Sequence, residues 1–160
     1  MKQLKKGFTL VEMLVVIAII GILMALLFPS FTMVIKKAKV TKAKTEISQI
    51  EQSWKQYLLD YRKFPSPDIT EMNENAVKIL AGEDKAKNIR ETIYLEANPE
   101  KPYTDPWGNT YQVSLDVAGK QQAYNSSSDV YKQVLVWSLG PNGTQDSTKG
   151  DDVTNWRKTK

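Results

Sequence analysis

The chain has 160 residues, with 22 basic and 18 acidic side chains and a formal net charge of +4. It has no cysteine and no histidine, which excludes disulfide bonds, thiolate or imidazole metal sites, and Ser-His or Cys-His nucleophile pairs. Three lysines lie within the first six residues, so a chain that lost them would carry only +1 and would lose its compositional support for nucleic-acid binding.

An uncharged apolar stretch follows the basic N-terminus. Residues 13–28 carry no charge, and the uncharged stretch continues to Ile35, interrupted by Pro29, Ser30 and Thr32. This length approaches the about 20 residues that cross a bilayer. A cleaved secretory signal peptide is the weaker interpretation, because no convincing small-residue cleavage site follows Phe28.

Glu12 is a single carboxylate within this apolar context. A lone carboxylate in a membrane segment is costly, which indicates a functional role that requires a partner. The alternative is a helix that begins at about Met13 and leaves Glu12 at its N-terminal end, where the helix dipole favours a negative charge.

The string Lys5-Lys6-Gly7-Phe8-Thr9-Leu10-Val11-Glu12 resembles the class III signal of type IV prepilins and pseudopilins. The resemblance implies cleavage between Gly7 and Phe8 by a prepilin peptidase, N-methylation of Phe8, and retention of the apolar segment. Cleavage would create an amine at Phe8. We expect Glu12 to pair with that amine on a neighbouring subunit, because the pair would neutralise both charges in a low-dielectric bundle.

Gly21 and Pro29 bracket the second half of the apolar segment. Pro29 removes a backbone donor, so a kinked membrane helix is the simpler expectation. In filaments of the family that this segment resembles, the corresponding stretch can unwind, which implies local melting between Gly21 and Pro29.

Beyond the apolar segment, apolar residues recur at alternating steps of three and four, which predicts one helical face packed on its own domain. These residues are Val40, Ala43, Ile47, Ile50, Trp54, Tyr57 and Tyr61, with Leu58 widening the stripe. A helix from about Phe8 to Arg62 would be on the order of 80 Å long.

A basic cluster lies just past the apolar segment and is expected to face solvent or lipid headgroups, because no aromatic residues interleave with it as in nucleic-acid sites. It consists of Lys36, Lys37, Lys39, Lys42 and Lys44. A positive-inside count alone favours a cytoplasmic head, which is the opposite of the orientation that the N-terminal motif implies.

The remaining residues predict a small α+β head. The prolines of Phe64–Pro67 end the long helix, and grouped apolar residues within 68–88 predict a short helix ending at Gly82. Alternation predicts strands at Thr110–Leu115 and Val130–Leu139. The predicted fold class is therefore α+β, with a long N-terminal helix packed on a small antiparallel sheet that is followed by a C-terminal loop.

Two strings in the head, Asp105–Tyr111 (DPWGNTY) and Val136–Gly143 (VWSLGPNG), resemble the DPWGNPY turn and the YSLGADG loop of major pseudopilins of type II secretion systems. The resemblance implies four segments. They are a leader at 1–7, a transmembrane and filament-core helix at 8–35, an amphipathic helix of the head at 36–64, and a globular head at 65–160.

The same resemblance implies a calcium site in the loop after the last predicted strand. Its candidate oxygen ligands are the carbonyl of Leu139 and the side chains of Asn142, Asp146, Asp151 and Asp152. Asn142 and Asp152 occupy the principal side-chain positions, and Asn142 stands where Asp is usual, which lowers the expected affinity. Without the resemblance, the order of these residues does not fit an EF-hand and predicts only a solvated acidic loop.

The predicted function is a structural subunit of a type II secretion pseudopilus, not an enzyme. The expected partners are further copies in a helical homopolymer, minor pseudopilins, prepilin peptidase, and an inner-membrane platform with its ATPase. The subunit would cross the inner membrane once, with its head in the periplasm, before joining a periplasmic or cell-surface filament. The alternatives are a type IV pilin for adhesion, twitching or DNA uptake and, from a different class, a membrane-tethered enzyme, which no nucleophile constellation, phosphate loop or metal-ligand pair supports.

Overall fold

The structure is a computed structural model that describes residues 7–66, 68–115, 132–145 and 150–156. The chain divides into two compact units, Met1–Ala38 and Lys39–Lys160. The elements in chain order are α1 (Leu10–Tyr61), α2 (Glu74–Leu80), β1 (Gln112–Leu115), β2 (Val134–Ser138) and β3 (Val153–Thr154). This order confirms the predicted α+β class with a long N-terminal helix and a small antiparallel sheet.

The N-terminal unit contains the first part of α1. Its backbone is helical from Gly21 to Pro29, so the predicted melting of this stretch stays a prediction for the assembled filament. Among the described residues, no single helix is both long and apolar enough to cross a membrane. For this test α1 counts as two parts, Leu10–Leu26 and Phe31–Tyr61, because the helix bends between them. Taken together, the two parts are long and apolar enough to cross a membrane, by length and composition.

The head is built around the stripe on α1 that the sequence predicts. Ala43, Ile50 and Trp54 are fully buried, and Ile47 and Tyr57 nearly so. Val40, Leu58 and Tyr61 are partly buried against the same core. The stripe therefore packs on its own domain, as its periodicity of three and four requires.

The long helix ends one residue before the predicted position. Arg62 adopts a positive φ of 59°, and its N–H donates to the Leu58 carbonyl at 2.8 Å. A left-handed residue directly after the last helical residue is a common way to end a helix. The chain therefore turns at Arg62, and the prolines that begin at Pro65 follow this turn and do not cause it.

The predicted short helix is confirmed as α2. The side chain of Asn73 caps its N-terminus by accepting from the Ala76 N–H at 3.0 Å. Gly82, which follows the helix, has a positive φ of 85°. The grouped apolar residues face the core, as expected for a short helix with one buried side; they are Ala76, Val77, Ile79 and Leu80.

The sheet is antiparallel in the order β1-β2-β3, with Val113 opposite Val136 and Trp137 opposite Thr154. Both predicted strands exist but are shorter than predicted, and Val130 and Tyr131 lie outside the described residues. β3 was not predicted, since two residues are too few to show an alternating pattern.

All five residues of β2 are buried, because apolar side chains cover both faces of this central strand. Val134 and Val136 belong to the main core with α1 and α2. Leu135 and Trp137 point to the opposite face and form a second cluster with Leu139 and Trp156. Trp156, near the C-terminus, therefore covers part of the sheet face that lies away from the main core.

Candidate functional site

The N-terminal candidate site lies at the first turn of α1. The Thr9 N–H donates to Glu12 Oε2 at 2.8 Å, and the Glu12 N–H donates to Thr9 Oγ1 at 3.3 Å. The Thr9 hydroxyl also donates to Glu12 Oε2 at 2.7 Å. This reciprocal pair is a capping box, which satisfies N–H groups that the helix leaves without partners at its start.

The capping box decides where the helix begins. The alternative start at Met13 is wrong, because α1 begins at Leu10, although Glu12 does lie in the first turn, where the helix dipole favours a carboxylate. Glu12 therefore has a local partner within its own chain. Its predicted pairing with the amine of a neighbouring Phe8 stays a prediction.

Gly7 and Phe8 precede the helix and are both exposed, with Phe8 at 76%. A β-carbon added at Gly7 would have no neighbour within 4 Å. The Gly7–Phe8 bond therefore lies in non-helical, accessible backbone.

The first part of α1 has an exposed apolar surface. Large apolar side chains from Leu10 to Leu26 and from Phe31 to Ile35 are exposed, for example Leu26 at 70% and Phe31 at 68%. Exposed apolar area is unfavourable in water by about 25 cal/mol per Å², so such a surface indicates a lipid or protein partner.

The second candidate site lies in the head, where the Asp105 turn meets the loop after β2. Asp105 is 5% exposed, and its Oδ1 accepts from the N–H groups of Trp107 and Asn109, each at 2.9 Å. Its Oδ2 accepts from the Ser138 hydroxyl at 2.5 Å. The Asn109 amide in turn donates to the Gly140 carbonyl at 2.7 Å. The two motifs that carry the head's resemblance are thus in direct contact.

The loop after β2 closes on residues 151 and 152. Gly140 has a φ of 65°, and a β-carbon there would lie 2.6 Å from the Asp151 carbonyl oxygen. The Asn142 N–H donates to Asp151 Oδ2 at 3.2 Å. Leu139 and Asp152 are partly buried, and Oδ1 of Asp152 is shielded from solvent. The structure therefore brings Asn142 and Asp151 together, and Asp146 lies outside the described residues.

The chemistry of these residues fits a hard cation, since every candidate ligand is an oxygen. Asp146, one of the three predicted acidic ligands, lies outside the described residues, so the predicted ligand set stays a prediction. Within residues 7–66, 68–115, 132–145 and 150–156, no group of three or more acidic side chains lies close enough to hold a metal ion. The side-chain oxygen of Asn142 accepts from the Thr144 N–H at 2.8 Å, so a cation would compete with this contact.

Glu51 and Asn155 form a polar connection that the sequence did not reveal. Glu51 on α1 accepts from Lys55 at 2.6 Å, from the Asn155 amide at 2.8 Å and from Lys132 at 3.2 Å. Partial burial acts to raise the pKa of Glu51, but the hydrogen bonds from Lys55, Asn155 and Lys132 outweigh it and hold the pKa below its ordinary 4.5. Lys132 and Asn155 are 81 and 104 residues away from Glu51 in sequence, so no local pattern could have indicated this cluster.

Comparison with known proteins shows two family matches. A family described as the prokaryotic N-terminal methylation motif matches residues 2–28, and one described as type II secretion system protein G matches residues 31–156.

Similar curated proteins carry the name type II secretion system core protein G. Those of Klebsiella pneumoniae and Pseudomonas aeruginosa are each 33% identical, over 155 and 156 residues, which is 96% and 97% of both chains respectively. That of Vibrio cholerae is 32% identical over 159 residues, covering 98% of this chain and 96% of that protein.

Among solved structures, the major pseudopilin from the type 2 secretion system of enterohaemorrhagic Escherichia coli matches with a TM-score of 0.42 and 19% identity, covering 75% of this chain and 88% of that one.

Proposed function

Because the chain belongs to the family of type II secretion system protein G and is a structural subunit of the secretion pseudopilus, we propose how it is processed, anchored and assembled. Prepilin peptidase removes residues 1–7 by cutting between Gly7 and Phe8, and the new amine of Phe8 is methylated. The match to the N-terminal methylation motif over residues 2–28 supports this step. The exposed, non-helical backbone at Gly7 and Phe8 is compatible with it.

The mature subunit crosses the inner membrane once, through residues 8–35, and places its head in the periplasm. Support comes from the exposed apolar surface between Leu10 and Ile35, which is stable only when lipid or other apolar helices cover it. A topology reporter fused after Lys160 tests this orientation. Periplasmic activity of the reporter is expected, and cytoplasmic activity would contradict the proposal.

Assembly brings the apolar helices of many copies together, with Glu12 of one subunit paired with the Phe8 amine of the next. Minor pseudopilins, an inner-membrane platform and its ATPase are the further partners. The observation that carries this proposal is a carboxylate held at the start of an apolar, exposed helix by the capping box with Thr9. Such a charge is tolerable at a membrane surface and becomes favourable inside a bundle only when an amine is beside it.

Two substitutions of Glu12 separate its capping role from its assembly role. Glu12→Ala removes both the cap and the charge, whereas Glu12→Gln keeps a side-chain oxygen that can accept from the Thr9 N–H. We expect both variants to be cleaved at Gly7, and neither to form filaments. Mass spectrometry of the N-terminus and the yield of sheared filaments are the measurements.

Outcomes that contradict the assembly proposal are equally specific. A normal filament yield from Glu12→Gln would show that the negative charge is not needed. A yield restored by Glu12→Gln but not by Glu12→Ala would assign the residue to capping alone. A native protein that still begins at Met1 would refute the processing step.

We also propose that the head binds calcium in the loop after β2, through the Leu139 carbonyl and the side chains of Asn142, Asp151 and Asp152, with Asp146 as a further ligand. The contact between Asn142 and Asp151 and the all-oxygen donor set support it. A bound ion stabilises the folded head by mass action, so chelation is expected to lower its melting temperature. No shift of the melting temperature across a calcium titration would contradict the site.

A further inference from the structure

The turn after β2 contains a dipeptide with its own chemistry. Asn142-Gly143 is the one place in the 160-residue sequence where glycine follows asparagine. Asn142 is exposed in this turn. Glycine has no β-carbon, so the backbone nitrogen that follows Asn142 can approach the side-chain amide with little steric hindrance.

The fold itself requires glycine at position 143. Gly143 has a φ of 66°, and a β-carbon there would lie 3.1 Å from Asn109 Oδ1. Asn109 is held in place, because its amide donates to the Gly140 carbonyl at 2.7 Å and its N–H donates to Asp105 at 2.9 Å. A larger residue at position 143 would therefore be strained in its backbone and crowded by Asn109. The contacts of Asn109 that shape the loop therefore also favour glycine directly after Asn142.

The Asn142 side chain is turned toward the following peptides. Its Oδ1 accepts from the Thr144 N–H at 2.8 Å, which is the geometry of an Asx turn. That donor faces the oxygen on which negative charge develops when a nucleophile attacks the amide carbon. The bond from the Gly143 N–H to the Gly140 carbonyl is long, at 3.4 Å, so it holds this nitrogen weakly.

We propose that Asn142 is a site of spontaneous deamidation. The Gly143 nitrogen attacks Cγ of Asn142, a C–N bond forms to give a cyclic imide, and the side-chain nitrogen leaves as ammonia after it gains a proton. Water then opens the ring at either carbonyl and leaves aspartate or isoaspartate. The balance is one amide and one water consumed, with one carboxylic acid and one ammonia formed, so no enzyme or oxidant is needed.

The product changes the charge of the loop. The Asn142 backbone N–H donates to Asp151 Oδ2 at 3.2 Å, so deamidation adds a second carboxylate to the residue that Asp151 contacts. Two adjacent carboxylates repel each other and attract a divalent cation more strongly than one carboxylate and an amide. Deamidation would therefore convert the loop into a stronger cation site. This second step rests on the calcium binding proposed above, whereas the modification does not.

The modification is tested by incubating the purified full-length chain in detergent at neutral and mildly alkaline pH. Tandem mass spectrometry of the tryptic peptide 133–149 then follows the mass gain at Asn142. We expect conversion several-fold faster than at Asn109 and Asn155, because Thr110 and Trp156 follow these residues and their side chains hinder the attacking backbone nitrogen more than glycine does. We also expect it to rise with pH, because the attacking nitrogen must lose its proton. An Asn142 that stays intact in the folded chain, whether or not the urea-unfolded chain converts, would overturn the proposal.

The consequence for cation binding is tested with Asn142→Asp, which reproduces the aspartate product in uniform form. We expect calcium to raise the melting temperature of Asn142→Asp more than that of the unsubstituted chain. An equal or smaller shift would overturn the second step. Conversion at Asn142 without a calcium response in either protein would refute the calcium site and leave the modification standing.

Discussion

Replacement of Asp105 by alanine tests the contact that joins the turn at 105–109 to the loop after β2. The carboxylate is 5% exposed and accepts three short hydrogen bonds, from Trp107 N–H, Asn109 N–H and the Ser138 hydroxyl. Asp105→Ala leaves the buried Ser138 hydroxyl and the partly buried N–H groups of Trp107 and Asn109 without their acceptor. The turn at 105–109 and the loop after β2 would then lose the side chain that bonds to both segments.

The magnitude follows from the chemistry of the site. A hydrogen bond to a charged group contributes about 1.5–3 kcal/mol, but bonds that share one acceptor residue are not additive. A buried donor that is left without its acceptor costs about 1–3 kcal/mol, and three donors lose their acceptor here. We therefore expect Asp105→Ala to lower the free energy of unfolding of the head by about 3–5 kcal/mol. Asp105→Asn keeps an acceptor for the two backbone N–H groups and is expected to lose about 1–2 kcal/mol.

Urea unfolding of the full-length chain in detergent measures this loss, with tryptophan fluorescence as the probe, because Trp107 and Trp137 flank the contact. The exposed Glu100 provides a matched control, and Glu100→Ala is expected to change stability by less than about 0.5 kcal/mol. A loss below about 1 kcal/mol for Asp105→Ala would refute the reasoning that this carboxylate holds the two segments together.

Four further predictions concern the head. Gly140→Ala is expected to destabilise it more than Gly108→Ala in thermal melting, because both glycines have positive φ but only at position 140 would a β-carbon meet backbone, the Asp151 carbonyl at 2.6 Å; equal losses would contradict the clash. Asn155→Ala removes bonds to Glu51, Val134 and Val136 and is expected to cost about 2–4 kcal/mol in urea unfolding, whereas a loss within error would show that the connection is dispensable. Since the folded pKa of Glu51 is lowered, its contribution is present above its unfolded pKa and is lost as pH falls through the folded value, so stability should decline below about pH 5, and more steeply than in Glu51→Gln; parallel pH profiles would refute this. Burial raises the pKa of Tyr57 to about 12, so its hydrogen bond to the Lys87 carbonyl should persist until pH rises through that value, and an ultraviolet titration showing all tyrosines ionising near 10 would contradict the buried position.

The parts of the fold that the sequence predicted are those with a repeating local signal. The stripe from Val40 to Tyr61 repeats over six turns of helix, so the buried face of α1 followed from spacing alone. The short helix at Glu74–Leu80 and the strand pair β1 and β2 followed from grouped or alternating apolar residues. The start of α1 was less well defined. In sequence, Glu12 can be interpreted either as a carboxylate inside a membrane segment or as the second residue of a capping box with Thr9, and the structure shows the capping box.

The parts that could not be predicted depend on residues that meet only after folding. Glu51 and Asn155 are separated by 104 positions, and Asp105 and Ser138 by 33, so neither pair has a local pattern. β3 consists of two residues and is a strand only because β2 provides its partner. The role of Asp105 as the buried acceptor of the turn was likewise hidden, although the sequence around it carried the family resemblance.

The contacts of Asp105 and Asn109 also limit what a calcium ion can contribute to the loop after β2. The Gly140 carbonyl and the Ser138 hydroxyl bond to Asn109 and Asp105, and Gly143 lies against Asn109, so protein contacts hold residues 138–143. An ion at a concentration 100-fold above its dissociation constant adds about 2.7 kcal/mol by mass action, which is less than the loss expected for Asp105→Ala. Calcium would therefore adjust the stability of a folded head and would not create the fold, in contrast to a small zinc domain that unfolds without its metal. If a chelator unfolds the head at room temperature, calcium stabilises the head more than Asp105 does, and this reasoning is wrong.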